Sequence, residues 1–182
     1  MLENKLSRRN ALSLLGASGA ATVVLIGTQT KAKAGNTPKI VDAWLNAFYI
    51  AKDPSAVAKL YTNDGIFQEV PGGFQIQGPD NIKCFIVGAL KLFGNFNVEL
   101  ISTFTGHNKA VVEYFLTATN TGLYPSTPDI NTFGKTFRIR AVTVFDLKGN
   151  KIERTADYYD NAGILVQLGL IEAPPLPEAP SC

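Results

Sequence analysis

Apolar and polar positions recur along this chain with two periods, and the period changes once. Val41, Trp44, Leu45 and Phe48 stand at i, i+3, i+4 and i+7, which lays one apolar stripe along a helix. Thr37 as N-cap and Pro38 at the first helical position predict its start. Asp53-Pro54 repeats that start signal for a short second helix ending near Tyr61. The "TNDG" that follows is turn chemistry, and "IFQEV" predicts a short strand closed by Pro71-Gly72-Gly73. Gly78-Pro79-Asp80 then opens a third helix. Ile82, Phe85, Ile86, Ala89, Leu90 and Phe93 lie at helical spacing, with Gly94 as the stop. Cys84 falls off that stripe and is expected at the surface.

From here the period is two. "NVELISTFT" places Val98, Leu100, Ser102 and Phe104 on one face, and "AVVEYFLTATN" places Ala110, Val112, Tyr114, Leu116 and Ala118 on one face. "KTFRIRAVTVFDL" alternates Phe137, Ile139, Ala141, Thr143 and Phe145 against Arg138, Arg140, Val142 and Val144, and "KIERTADYY" follows after "KGN". These segments predict antiparallel strands joined by hairpins. The long loop "TGLYPSTPDINTFG" has the length of a lid or rim. "NAGILVQLG" predicts a last short helix. Helices gathered on one face of a curved antiparallel sheet make an α+β cone with an interior, lined here by Trp, Phe, Leu and Tyr. The cavity calls for a hydrophobic small molecule as partner.

Composition fits one globular domain: 182 residues, 46% hydrophobic and 18% charged, with a mean hydropathy of +0.08. The net charge of +2 hides a division. Residues 1–34 begin with Lys5, Arg8 and Arg9, continue as a Gly- and Ala-rich apolar run from Ala11 to Gly27, and end in Ala32-Lys33-Ala34. This is the pattern of a cleaved twin-arginine-type signal peptide, and it implies an exported protein, periplasmic or extracellular. The rival reading is a retained membrane anchor; the run is short for a span and contains several Gly and Ser, which favours cleavage. Residues 1–34 hold five of the 17 basic and one of the 15 acidic side chains, so 12 stand against 14 in the remainder, net −2. No basic patch remains to suggest nucleic acid or an anionic membrane. One histidine and two scattered cysteines, Cys84 and Cys182, give no metal-ligand cluster, and no cofactor is expected. Nothing pairs the two cysteines with each other, and a terminal cysteine can equally join two molecules. Residues 172–182 form a Pro-rich tail.

The order of elements and the ending resemble the nuclear transport factor 2-like superfamily, and within it the SnoaL-like polyketide cyclases. The ending carries the likeness: "KIERTADYYDNAGILVQLG", with Lys151, Ile152, Asp157, Asp160, Gly163, Leu165, Gln167, Leu168 and Gly169 at the positions of the cyclase ending. The likeness covers most of residues 38–171, within a domain expected over residues 35–171. It implies that Asp157 is the general acid/base of a reaction next to a carbonyl. The histidine that assists in the cyclases falls on or beside Thr143. Ketosteroid isomerases share the fold. Their base would fall near Glu69, their tyrosine near Leu45 and their second acid near Ala141, so neither of the base's partners is present.

The residues themselves divide the two aspartates. Asp160 directly precedes a helix and is read as its N-cap. Asp157 depends on a hairpin register. A two-residue loop at Gly149-Asn150 sets it opposite Val142; a three-residue loop with Lys151 sets it opposite Thr143, on the face of Phe137 and Phe145. On that face it would be desolvated, with a raised pKa suited to a general base. The bland alternative is an exposed acid paired with Arg138, Arg140 or Arg154. The candidate substrate-binding residues are Trp44, Phe48, Tyr61, Phe67, Glu69, Phe85, Thr143 and Tyr159. Glu69 also reads as an exposed strand-end acid. Tyr158 and Tyr159 must face opposite ways, and Tyr49, Tyr61 and Tyr114 can each place a hydroxyl in an apolar cavity. His107 reads as a solvated turn residue. Two functions stay open: a cyclase or isomerase using Asp157, and a non-catalytic binder of a hydrophobic small molecule. The outer sheet face is a candidate for a two-fold dimer contact.

Overall fold

A computed structural model describes residues 37–122 and 129–173. The predicted signal peptide, Cys182 and most of the Pro-rich tail lie outside these residues. Helix α1 spans Lys39–Leu45 and continues as a π-helical turn over Asn46–Ile50. Then come α2 (Pro54–Lys59), β1 (Tyr61–Glu69), β2 (Phe74–Gln77) and α3 (Pro79–Leu92). Four long strands follow, β3 (Phe93–Gly106), β4 (Lys109–Asn120), β5 (Thr136–Lys148) and β6 (Lys151–Tyr159), and α4 (Asn161–Leu168) closes the order.

The six strands form one curved, unclosed sheet in the order β2-β1-β6-β5-β4-β3. All neighbours are antiparallel except β1 and β6, which run parallel. The helices cover one face. Val41, Trp44, Val57, Ile82 and Ile86 share a core with Val112, Tyr114, Ala141 and Phe145. Helix α4 packs Ile164 and Leu168 on Ala118, Phe137 and Ile139 of that same face. The α+β cone read from the sequence is therefore the fold.

Several local expectations hold, and five are corrected. The "TNDG" segment lies within β1, where the register with β6 shifts between Tyr61 and Ile66, and not in a turn. Asp53 caps α2 by accepting from the backbone N–H of Ser55 and Ala56, and Cys84 is exposed. Pro38, not Thr37, is the N-cap of α1, and its ring offers no acceptor to the first turn. Helix α3 stops at Leu92, so Phe93 and Gly94 already belong to β3. The turn at Pro71-Gly72-Gly73 leads into β2, a strand of four mostly exposed residues whose pattern is too short to read. In β3 an extra residue, Ile101, breaks the register between Leu100 and Ser102. The inward face passes from Val98 to Thr103, and Phe104 points outward, 63% exposed.

The register that decides Asp157 is reached by a route neither loop length described. The loop has two residues: Lys148 pairs with Lys151 across Gly149-Asn150. Gly149 takes φ +59°, as the first central residue of a type II′ hairpin turn requires. A bulge then adds Glu153 to β6, so Leu147 pairs with Ile152 but Asp146 pairs with Arg154. That one residue turns the strand over, and Asp157 lands opposite Thr143, inside the cone.

Candidate functional site

Between the concave sheet face and the helices lies an apolar cavity of about 820 Å³. Of the residues named from sequence, Phe48, Phe67, Glu69, Phe85, Asp157 and Tyr159 line it. Trp44, Tyr61 and Thr143 are fully buried behind the wall instead. Trp44 is enclosed by the rings of Phe48, Tyr49, Phe67 and Phe145, and its indole N–H donates to the Tyr61 hydroxyl at 3.0 Å. The Tyr61 hydroxyl is also 2.8 Å from Thr155 Oγ1. A side chain whose polar tip is satisfied within the wall packs there rather than at the void.

Asp157 is 7% exposed, and its Oδ1 has no hydrogen-bond partner. Burial, opposed by a hydrogen bond from Thr143 and reinforced by the charge of Glu69, pushes its pKa up to about 7. The arginines offered as its partners are engaged elsewhere: Arg138 with Glu99, Arg140 with Glu113, and Arg154 with Asp146 and Gln68. A file of hydroxyls leads to Asp157. Tyr49 and Tyr114 lie 3.2 Å apart at their oxygens, and Tyr114 lies 3.0 Å from Thr143 Oγ1. With Thr143 donating to the carboxylate, Tyr114 donates to Thr143 and Tyr49 to Tyr114, so each O–H turns toward the acid.

Glu69 is corrected from a strand-end surface acid to a buried one, 6% exposed. The parallel register of β1 and β6 sets Glu69 beside Asp157, and both acids line the cavity. Tyr159 donates its hydroxyl to Glu69 Oε1. Burial holds the Glu69 carboxyl above its ordinary range, against the Tyr159 hydrogen bond that draws it down. Tyr158, on the opposite face of β6, is 46% exposed. The parallel pairing of strands far apart in sequence is what hid this acid pair from the one-dimensional pattern.

Tyr49 and Tyr114 were named only as candidates for a polar tip, and both line the cavity. Tyr49 gets there through the π-helical turn. Widening after Asn46 brings Ala47, Phe48 and Tyr49 inward in succession, which no 3.6-residue stripe can do. Asp160 is the cap predicted, its Oδ1 accepting from Gly163 N at 2.7 Å, and Gly169 ends α4 at φ +71°. His107 is exposed at the β3–β4 turn. Among the described residues, no group of three His, Cys, Asp or Glu side chains is placed to hold a metal ion. Among them also, no helix is long and apolar enough to cross a membrane.

Residues 39–168 match the SnoaL-like polyketide cyclase family. The chain belongs to that family. Members of the family bind small-molecule substrates. Solved structures agree on the fold. A polyketide cyclase-like protein from Pseudomonas putida is 21% identical, with 70% of this chain covering 94% of that one at a TM-score of 0.62. A protein of ketosteroid isomerase-like fold from Catenulispora acidiphila is 22% identical, covering 73% of this chain and 94% of its own at 0.62. An epoxide hydrolase from M. tuberculosis is 18% identical, covering 72% and 88% at 0.56. No curated protein matches the chain.

Proposed function

We propose that this SnoaL-like protein is an exported cyclase or isomerase in which Asp157 takes a proton from carbon next to a carbonyl of a hydrophobic substrate. One observation carries the reading: a carboxyl oxygen on the wall of an apolar cavity, buried and without a hydrogen-bond partner. A base of pKa near 7 is both ionised enough to accept a proton and basic enough to hold it. Thr143, Tyr114 and Tyr49 orient and stabilise the charged form. Phe48, Phe67 and Phe85 exclude water and seat the apolar body of the substrate.

The test is exchange of solvent deuterium into the carbon next to the carbonyl of hydrophobic ketones, followed by NMR. The wild type should catalyse it, and Asp157→Asn should lose it while still binding the ketone. Equal exchange by both would overturn the role of Asp157.

A second reading, a non-catalytic binder of a hydrophobic small molecule, rests on Thr143. By the resemblance to the cyclases, an assisting histidine falls on or beside this position, and a threonine hydroxyl cannot carry a proton on and off near neutral pH. Binding of ketones without exchange by the wild type would favour it. Export is proposed from the twin-arginine-type pattern of residues 1–34, ahead of a domain at 35–171 and a tail at 172–182. Two-fold association through the outer sheet face is proposed from its exposed apolar side chains, such as Phe104 and Tyr158.

A further inference from the structure

Glu69 and Asp157 raise a question that a single general base leaves open: what balances the second acid? The pair sits on neighbouring parallel strands, at matched register, inside the same apolar cavity. Two carboxylates side by side in a low-dielectric setting repel each other and resist ionising together. Structural acid pairs are ordinarily neutralised by a lysine or arginine. Here the ion pairs among the described residues engage Glu99, Glu113, Asp146 and Glu153, and none engages Glu69 or Asp157. Lys91 lines the cavity but is exposed at the end of α3.

The remaining groups that face the acids are hydroxyls and rings. Tyr159 bonds to Glu69, while Tyr49, Tyr61 and Tyr114 feel the charge of Asp157. Ten of the described lining residues are aromatic. Ring faces carry negative potential and attract a desolvated cation, most strongly an alkylated ammonium that gives up few hydrogen bonds on leaving water. The cavity thus offers two acids and a wall of rings, and among the described residues no ion pair matches a cation to either acid.

We infer that the cavity binds a hydrophobic amine as its protonated or quaternary ammonium form, with the positive nitrogen held between Glu69 and Asp157 and the aromatic wall. This rests on the reading of the cavity as a ligand site and names the substrate class: a carbonyl compound that also carries a cationic nitrogen. Uptake of the cation favours the ionised acids, so binding releases a proton at neutral pH and tightens as pH rises through about 7.

The experiment compares phenyltrimethylammonium with its uncharged isostere tert-butylbenzene by calorimetry at pH 8. Two buffers of different ionisation enthalpy are used at pH 7 to count protons released. The expected result is cation binding at least about tenfold tighter than the isostere, with proton release. Glu69→Gln and Asp157→Asn should each erase most of that preference while leaving the isostere bound, which also shows that the variant is folded. If the isostere binds as tightly as the cation, the amine is refuted and the ligand site stands. If neither binds, the amine inference and the ligand-site reading fail together. The wild-type comparison decides between these even if a variant does not fold.

Discussion

Replacing Asp157 by asparagine separates the energetic cost of this acid from everything else the side chain does. In the unfolded chain the acid titrates near 3.8, whereas in the fold its pKa is about 7. The fold therefore holds the proton more tightly than the unfolded chain does. Below pH 3.8 both states are protonated, and Asp157 costs nothing through ionisation. Between 3.8 and 7 the unfolded state ionises first, so stability falls as pH rises; above 7 the cost is constant. Each pH unit between the two values counts about 1.4 kcal/mol, so the cost at pH 8 is about 4 kcal/mol, against well under 1 kcal/mol at pH 4.

Asp157→Asn removes this term but introduces its own packing and hydrogen-bonding changes, which do not depend on pH. Urea unfolding of both proteins at pH 4 and pH 8 cancels those changes. The variant should gain on the wild type by about 3–4 kcal/mol between the two pH values. A gain near zero, or a wild type that gains on the variant, would mean that Asp157 is solvated in the fold, and the base proposed above would lose its physical footing.

Tyr159→Phe should raise the Glu69 carboxyl further, because the hydrogen bond that draws it down is lost; carboxyl carbon NMR titration reads this directly, and an unchanged titration would refute the pairing. Gly163→Ala drives a methyl group into the Asp160 carboxylate and breaks the cap of α4, so it should cost about 1–2 kcal/mol in urea unfolding, as should Asp160→Ala. Trp44→Ala empties a fully buried site at the centre of the core and should cost about 3–5 kcal/mol. Arg8→Lys with Arg9→Lys should leave the full-length chain inside the cell, as judged by fractionation; undiminished export would refute the twin-arginine reading.

Periodicity alone determined much of this protein. The stripe Val41, Trp44, Leu45, Phe48 is buried, and the alternation of β4 and β5 marks their inward faces residue by residue. These patterns survive because burying one face of a helix or strand demands them locally. The cap at Asp160 was legible for the same reason, being a contact between residues three apart.

What decides the site was not local. A π-helical turn adds Tyr49 to the cavity, and it leaves no mark in a 3.6-residue pattern. The bulge at Glu153 sets the face of Asp157, and a single inserted residue in a strand is invisible until its partner strand is known. The parallel pairing of β1 with β6 sets Glu69 beside Asp157 across a separation of most of the domain. Side chains of this chain could be named as acids and aromatics from the sequence. Which acids become neighbours, and which lose their water, is fixed only when distant strands meet, because both repulsion and desolvation depend on distance in space and not along the chain.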